Sequence, residues 1–503
     1  MNRTQKFSLN ALAAAVNQCI IMIAGFITPA IMIGTYGSEV NGLVSSINHI
    51  IAYLSLVEAG LSGAAVYSLY KPLATNDIRG INGIVAAAKK YYIKAGYIFS
   101  TAAFIMAVVL AATRSSAAVS GRLVFGLALL LSANGCVDFF VLARYRTLLT
   151  ADQKTYVISF ISVFQTISKT LIIVFCASVN TSIILLYIFA LIPIGVKIVY
   201  LSVYAKKKYP YLDYDETPNE KALGRRYDVV YQQILGTVQS GAPTLIASIF
   251  LNWTAVSVFS VYNMVLNGIN GVLSIFVSGL PAGFGDVMAR GEKETLRKTA
   301  AQFEVAYYAL LSIVYGLTLA LILPFISIYT RNFTDTQYYV PSIAILIVLN
   351  GIAYSIKTPQ SMLMISAGLY KEQRWRATFQ AAIILIGGSV LVRYYGINGI
   401  LVASIISNLY RTVDLVIYVP RNITNNPMWQ SVKRMLQAII NIAIIAVPSF
   451  VARQKCNGYL NWFLMAVCYG VYALIVTSLS FYVTERKECR LICKRIQNVM
   501  FRR

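Results

Sequence analysis

Apolar segments recur along the whole chain, at residues 9–34, 42–68, 92–112, 122–143, 156–177, 181–204, 233–251, 255–280, 304–328, 340–366, 377–392, 397–419, 435–452 and 459–483. A helix needs about 20 predominantly apolar residues to cross a bilayer core, and most of these segments reach that length. A soluble protein with many buried helices would need polar faces at helical period, and long stretches such as residues 97–112 and 183–196 have none. The pattern predicts an all-α polytopic membrane protein of about 14 transmembrane helices. Glycine and proline inside some segments do not break it, because neighbouring helices can satisfy the freed backbone groups.

The polar connections fix an orientation. If the helices alternate in direction, one set of connections together with both termini carries 33 Lys and Arg, and the other set carries 6. That asymmetry places both termini in the cytoplasm. The first segment follows Arg3 and Lys6 and is longer than a signal-peptide core, so it reads as a retained helix. Composition agrees, with 58% hydrophobic and 12% charged residues. The net charge of +24 would suggest nucleic acid in a soluble chain. Here it lies in membrane connections and accompanies no glycine-rich phosphate loop and no zinc-type spacing, so nucleic acid is excluded as a partner. The seven cysteines imply neither a disulfide framework nor a metal site. No connection is long enough for an independent domain, so function is expected between the helices.

The first twelve helices read as a duplication. Pro29 and Ser46 match Pro243 and Ser260; Asn134-Gly135 matches Asn350-Gly351; Asn180 matches Asn398. The expected organisation is a six-helix bundle over residues 1–210, a second over 211–430, and a helix pair with a basic tail over 431–503. An even number of helices per repeat gives the halves parallel topology, a design of transporters with a substrate site between the halves.

Ionisable residues inside apolar segments are costly and mark functional candidates. Lys169, Lys197, Lys357 and Arg411 could line a cationic cavity for an anionic head group, with snorkelling as the simpler account of Lys197 and Arg411. Arg411 also has Asp414 at i+3 as a helical partner. Lys357 precedes Pro359, where a broken helix is expected. Glu58, Asp138, Asp414 and the only histidine, His49, are candidates for ion coupling or charge balance. Gly283-Phe284-Gly285-Asp286 spells the GxGD pattern of intramembrane aspartyl proteases, but that chemistry needs paired carboxylates within the membrane. Asp286 instead lies at a segment edge beside Arg290 and Lys293.

The stretch Tyr36-Gly37-Ser38-Glu39-Val40-Asn41-Gly42-Leu43-Val44-Ser45-Ser46, with Tyr53-Leu54-Ser55-Leu56-Val57-Glu58-Ala59-Gly60-Leu61 and Tyr67-Ser68-Leu69-Tyr70-Lys71-Pro72-Leu73, resembles Wzx-like polysaccharide flippases of the multidrug/oligosaccharidyl-lipid/polysaccharide (MOP) exporter superfamily. The resemblance implies two six-helix bundles in a V around a central cavity, plus a C-terminal helix pair. It implies translocation of an undecaprenyl-pyrophosphate-linked oligosaccharide across a bacterial inner membrane, from the cytoplasmic to the outer leaflet, without a cofactor. H+ or Na+ is the expected coupling ion, and polysaccharide-assembly proteins are candidate partners. The competing readings are a lipid II-type flippase, a multidrug cation antiporter and, from another class, a membrane polysaccharide polymerase. The antiporter is disfavoured because residues 9–34 hold no acid, and the polymerase because the external loops are short.

Overall fold

The computed structural model describes residues 3–58, 61–114, 116, 119–213, 216–219, 227–277, 280–452 and 456–492. The expectations placed on Lys221, Arg225, Arg226, Arg453, Lys455, Cys493 and the tail beyond 492 lie outside the described residues. Among the described residues the regular structure is entirely helical, and twelve helical runs are long and apolar enough to cross a membrane. That is fewer than the fourteen apolar segments. One run, Tyr370–Thr424, takes in both the eleventh and twelfth segments. They meet at Gly396, whose φ of 56° and ψ of −133° interrupt the helix, a conformation open to glycine because it has no Cβ. The seventh segment forms a helix, Tyr227–Phe250, that is not among the twelve.

The chain divides into two compact units, Met1–Ser260 and Val261–Arg503. The first contains α1 (Arg3–Tyr36), α2 (Ser38–Leu54), α3 (Leu61–Thr75), α4 (Ile78–Thr113), α5 (Gly121–Val137) and α6 (Ala143–Ala151). It continues with α7 (Thr155–Ser178), α8 (Ile183–Phe189), α9 (Ile192–Lys208), α10 (Tyr227–Phe250) and the start of α11 (Trp253–Val277). The second holds α12 (Leu280–Ala289), α13 (Lys293–Tyr329), α14 (Pro341–Ser355), α15 (Thr358–Ser366), α16 (Tyr370–Ala382), α17 (Gly388–Val419), α18 (Met428–Ala452) and α19 (Tyr459–Thr484).

Besides an apolar core, these helices expose large apolar side chains and bury polar ones. Phe104, Phe175, Val203, Ile440, Leu464 and Val483 are exposed, while Asn41, Gln360, Gln373, Gln380, Asn408 and Arg434 are buried. Apolar side chains lose nothing against lipid, whereas a polar group there needs a partner inside the protein.

In the first unit, one core gathers around Leu69, Tyr92, Phe99 and Leu149, and another around Leu43, Ile47, Leu127 and Leu186. Helices α10 and α11 join the second core through α2. A Cβ on Gly42 would fall 1.8 Å from the Trp253 carbonyl oxygen, so only glycine admits this approach. Polar contacts fix the register: Ser248 donates to Ser46 at 2.8 Å, and Asn41 donates to Ser257 at 2.8 Å. Arg114 caps the open end of α10, donating to the Ser248 carbonyl at 2.7 Å, the Leu251 carbonyl at 3.0 Å, and the Ile249 carbonyl. Those carbonyls carry the negative end of the helix dipole, so a guanidinium is well matched to them.

Segment 42–68 is not one span. It ends as α2 followed by a 3-10 turn at Ser55–Glu58, and α3 begins at Leu61. Glu58 is therefore at a helix end, where its carboxylate meets a cation from α6.

Asp152 ties α1, the α6–α7 connection and the end of α9 together. Its carboxylate accepts from Lys154 at 2.5 Å and Tyr209 at 2.6 Å, and lies 3.5 Å from the Lys6 ammonium. Partial burial works to raise the Asp152 carboxyl, but the bonds from Lys154 and Tyr209 and the charges of Lys154 and Lys6 outweigh it, holding it below its ordinary value of 3.8. Burial and the same carboxylate push the Tyr209 phenol up. A depressed carboxyl contributes stability that is complete above the ordinary value and is lost as the pH falls through the folded-state value. Asp152→Asn is expected to lower the unfolding temperature at neutral pH and to flatten its fall at acid pH, as read by thermal unfolding of purified protein across pH 3–7.

Candidate functional site

Each unit gathers charged groups inside its helices. In the first, Arg146 of α6 donates to Glu58 Oε1 at 2.5 Å and to Asp138 Oδ2 at 2.8 Å. Arg146 falls outside the apolar segment 122–143, in what the pattern reads as a connection between helices. It lies instead within the helical run Gly121–Ala151, held there by two carboxylates that have no other cation in ion-pair range among the described residues. Asp138 opens a π-helical turn, Asp138–Leu142, that offsets α6 from α5. Such wide turns free backbone groups and re-aim side chains.

The expected cations of this unit do not pair with those acids, although Asp138 is close enough to Lys197 for its charge to act on it. Lys197 of α9 donates to Gln165 Oε1 at 3.0 Å and Ser162 Oγ at 3.4 Å on α7. Lys169 lies on the same α7 face, since positions i, i+3 and i+7 share one side of a helix. It is half-buried and has no hydrogen bond or ion pair among the described residues. Lys197 thus finds its partners on a neighbouring helix, and neither lysine has a carboxylate within ion-pair range. His49 is half-buried on α2 and also has no hydrogen-bond partner among the described residues.

In the second unit the expected break before Pro359 is present: α14 ends at Ser355 and α15 begins at Thr358. Proline has no N–H, so the Ser355 carbonyl loses its helical donor. Tyr307 donates to that carbonyl at 3.1 Å, and Tyr308 donates to the Ile356 carbonyl at 3.1 Å. The break leaves Lys357 buried, with its ammonium bonded to Asn408 Oδ1 and 4.8 Å from the Tyr354 ring centroid. No carboxylate meets it among the described residues.

Two facing stripes build the rest. On α16, Gln373, Arg376 and Gln380 are spaced i, i+3, i+7. On α17, Ser404, Ser407, Asn408, Arg411 and Asp414 follow the same period. Ser407 donates to the Gln380 carbonyl at 2.7 Å, Gln380 to Asn408 at 3.2 Å, and Asn408 to Asn350 of α14 at 3.1 Å. Arg411 donates to Gln373 at 2.6 Å and to Asp414 at 2.5 Å, and Arg376 pairs with the other oxygen of Asp414. Arg411 therefore does have its i+3 partner, and Asp414 serves two guanidiniums. With Lys357, this unit gathers three cations around one acid, Lys357 and Arg411 buried and Arg376 half-exposed.

Apart from Arg411 and Asp414, the polar stripes on α16 and α17 are residues that the sequence reading missed. Their signal was present, because five polar side chains at helical period cross the apolar run 397–419. Asp286, by contrast, is exposed and paired with Arg290 at i+4.

With this arrangement in view, known structures identify the architecture. The chain aligns with a structure described as lipid II flippase MurJ in an inward closed conformation, at a TM-score of 0.62 and 14% identity, over 95% of this chain and all of that one. It aligns with an inward-facing multidrug resistance MATE family transporter of the MOP superfamily at a TM-score of 0.59 and 13% identity, over 86% of this chain and 98% of the other. The chain has the MOP transporter fold. A MOP superfamily transporter from Pyrococcus furiosus, described as having a binding pocket of reverse polarity, aligns at a TM-score of 0.55 and 13% identity, over 88% of this chain and 96% of that one. No protein-family model and no curated protein sequence matches the chain.

The pairing around Arg146 gives a direct prediction. Arg146→Ala leaves two carboxylates facing each other, and breaking a buried pair costs about 3 kcal/mol at the low end, the end suited to a side chain 34% exposed. The loss should show in chemical unfolding in detergent. Adding Glu58→Gln and Asp138→Asn to that variant should recover most of it.

Proposed function

We propose that the chain is a flippase that moves an undecaprenyl-pyrophosphate-linked oligosaccharide from the cytoplasmic to the outer leaflet of a bacterial inner membrane by alternating access, for surface polysaccharide export. One observation carries this reading: in the second unit Lys357 and Arg411 are buried, Arg376 is half-exposed beside Arg411, and Asp414 is the one acid paired with any of the three among the described residues. Lys169, Lys197 and Lys357 have no carboxylate partner among the described residues, and Arg376 and Arg411 share Asp414. A buried ammonium without a counter-charge costs roughly 2.5–3.5 kcal/mol on insertion scales. A pyrophosphate head group would recover that cost, because guanidinium and ammonium donors bond phosphate oxygens with charge-assisted strength. A cationic drug would add to the excess, which argues against multidrug antiport.

Glu58, Asp138 and Asp414 act in this reading as charge balance, the first two together fixing Arg146 and the third fixing Arg376 and Arg411, and His49 has no assigned part. The glutamine and asparagine side chains around Arg411 and Lys357 offer donors and acceptors of the kind that sugar hydroxyls require. A lipid II cargo is the second reading, favoured by the likeness to the MurJ structure, and it uses the same phosphate chemistry.

The test is transport of a fluorescent undecaprenyl-pyrophosphate oligosaccharide in proteoliposomes. A hydrogen bond to a charged group contributes about 1.5–3 kcal/mol, so Lys357→Ala and Lys169→Ala should each weaken capture by roughly 10- to 150-fold while inserting and remaining monodisperse. Unchanged transport in both variants would remove the anion-site reading.

A further inference from the structure

A second charged cluster lies away from these cations, where α13, α15, α18 and the end of α19 meet. Arg434 of α18 donates to Glu304 Oε2 at 3.0 Å and to Glu485 Oε2 at 2.8 Å, and the side chains of all three are less than a tenth exposed. Glu304 Oε1 also accepts from Gln360 at 3.0 Å and Ser431 at 2.9 Å. The Gln360 amide is oriented from its other side, since Tyr308 donates to its carbonyl oxygen at 3.1 Å. The titratable and charged groups facing the cluster are thus Glu304 and Tyr308 from α13, Arg434 from α18 and Glu485 beyond α19; α15 contributes only neutral Gln360.

The charges do not balance. One guanidinium serves two carboxylates, so the ionised cluster carries one buried negative charge in excess, a state that buried sites avoid by taking up a counter-charge. An alkali or divalent ion would need several free oxygen ligands. The Glu304 oxygens are already occupied by N–H and O–H donors, and no group of three or more acidic, His or Cys side chains exists among the described residues. A proton fits without moving a heavy atom. Ser431 contacts both Glu304 oxygens, at 2.9 and 3.1 Å, and its hydroxyl can turn from donor to acceptor.

An independent observation points to water beside this cluster. Along the α18–α19 seam, Gln437 donates to Ser480 at 2.9 Å and accepts from Thr484 at 2.9 Å. The same antiparallel register sets Asn441 opposite Thr477, about one turn farther along. Both are buried, at 1% and 2% exposure, and Asn441 Nδ2, Thr477 Oγ1 and Arg434 Nε have no hydrogen-bond partner among the described residues. Orphaned buried polar atoms of this kind are ordinarily satisfied by water.

We propose that this cluster is a proton-binding site: Glu304 takes up one exchangeable proton, drawn from and returned to water, and Arg434 and Glu485 set the charge that makes uptake favourable. The inference rests on the transport reading only for its consequence, that the proton is the coupling ion. The site can be tested without transport, by infrared difference spectra of full-length protein in lipid between alkaline and acidic pH, following the protonated-carboxyl band. Wild type should show the band, and Glu304→Gln should lose it. Glu485→Gln should lose it too, because removing the excess charge leaves Glu304 paired and ionised. Glu485 lies beyond α19 and its variant decides the matter if Glu304→Gln does not fold. No band in wild type, or a band retained in Glu485→Gln, overturns the proposal. Loss of the band in both variants, in a protein that moves no lipid-linked sugar, supports the proton site and counts against the transport reading alone.

Discussion

A bilayer core contains no water to hydrogen-bond a stranded polar group, so every buried donor, acceptor and charge in these helices must find its partner in the protein or in what the protein carries. Most of the internal structure follows from that constraint. Pro359 frees the Ser355 carbonyl, and Tyr307 takes it up. Glu58 and Asp138 enter the apolar region together with Arg146, and α10 ends where Arg114 can cap it. The function is best sought where the internal partners run out. At Lys169, Lys197 and Lys357 no acid lies within ion-pair range of the ammonium group among the described residues, and at Asp414 one acid answers two guanidiniums.

The helical architecture was legible because the bilayer imposes a one-dimensional signal, a long apolar run between basic connections. Boundaries were less legible where a helix stops inside such a run. The break at Glu58 leaves the apolar pattern almost untouched, since both of its ends stay among apolar neighbours, whereas the non-helical Gly396 follows Arg393-Tyr394-Tyr395 and falls between two segments the sequence had already separated. Pro359 could be read because proline cannot donate to the helix, and its break lies where the sequence placed it.

For the site, inspection of the apolar runs found the charged residues but not their partners. Partners lie on other helices: Arg146 reaches Glu58 across 88 positions, and Lys357 reaches Asn408 across 51. The i+3 pair of Arg411 and Asp414 was visible because both lie on one helix; the second arginine on Asp414 was not. The glutamines and asparagines of α16 and α17 were overlooked because they carry no charge, although their spacing marks a buried polar stripe as clearly as any acid would. The Glu304–Arg434–Glu485 cluster escaped for a different reason. Each member falls near the edge of an apolar segment, where an ionisable residue ordinarily reaches water, and only the packing of α13 against α18 closes that route.

The most direct test of the account is made in the native host, by removing the protein and determining on which leaflet lipid-linked sugars accumulate while surface polysaccharide is scored in the same cells. The account predicts loss of surface polymer, with complete repeat units held on the cytoplasmic leaflet. Complete units accumulating unpolymerised on the outer leaflet would contradict it and point to a polymerase.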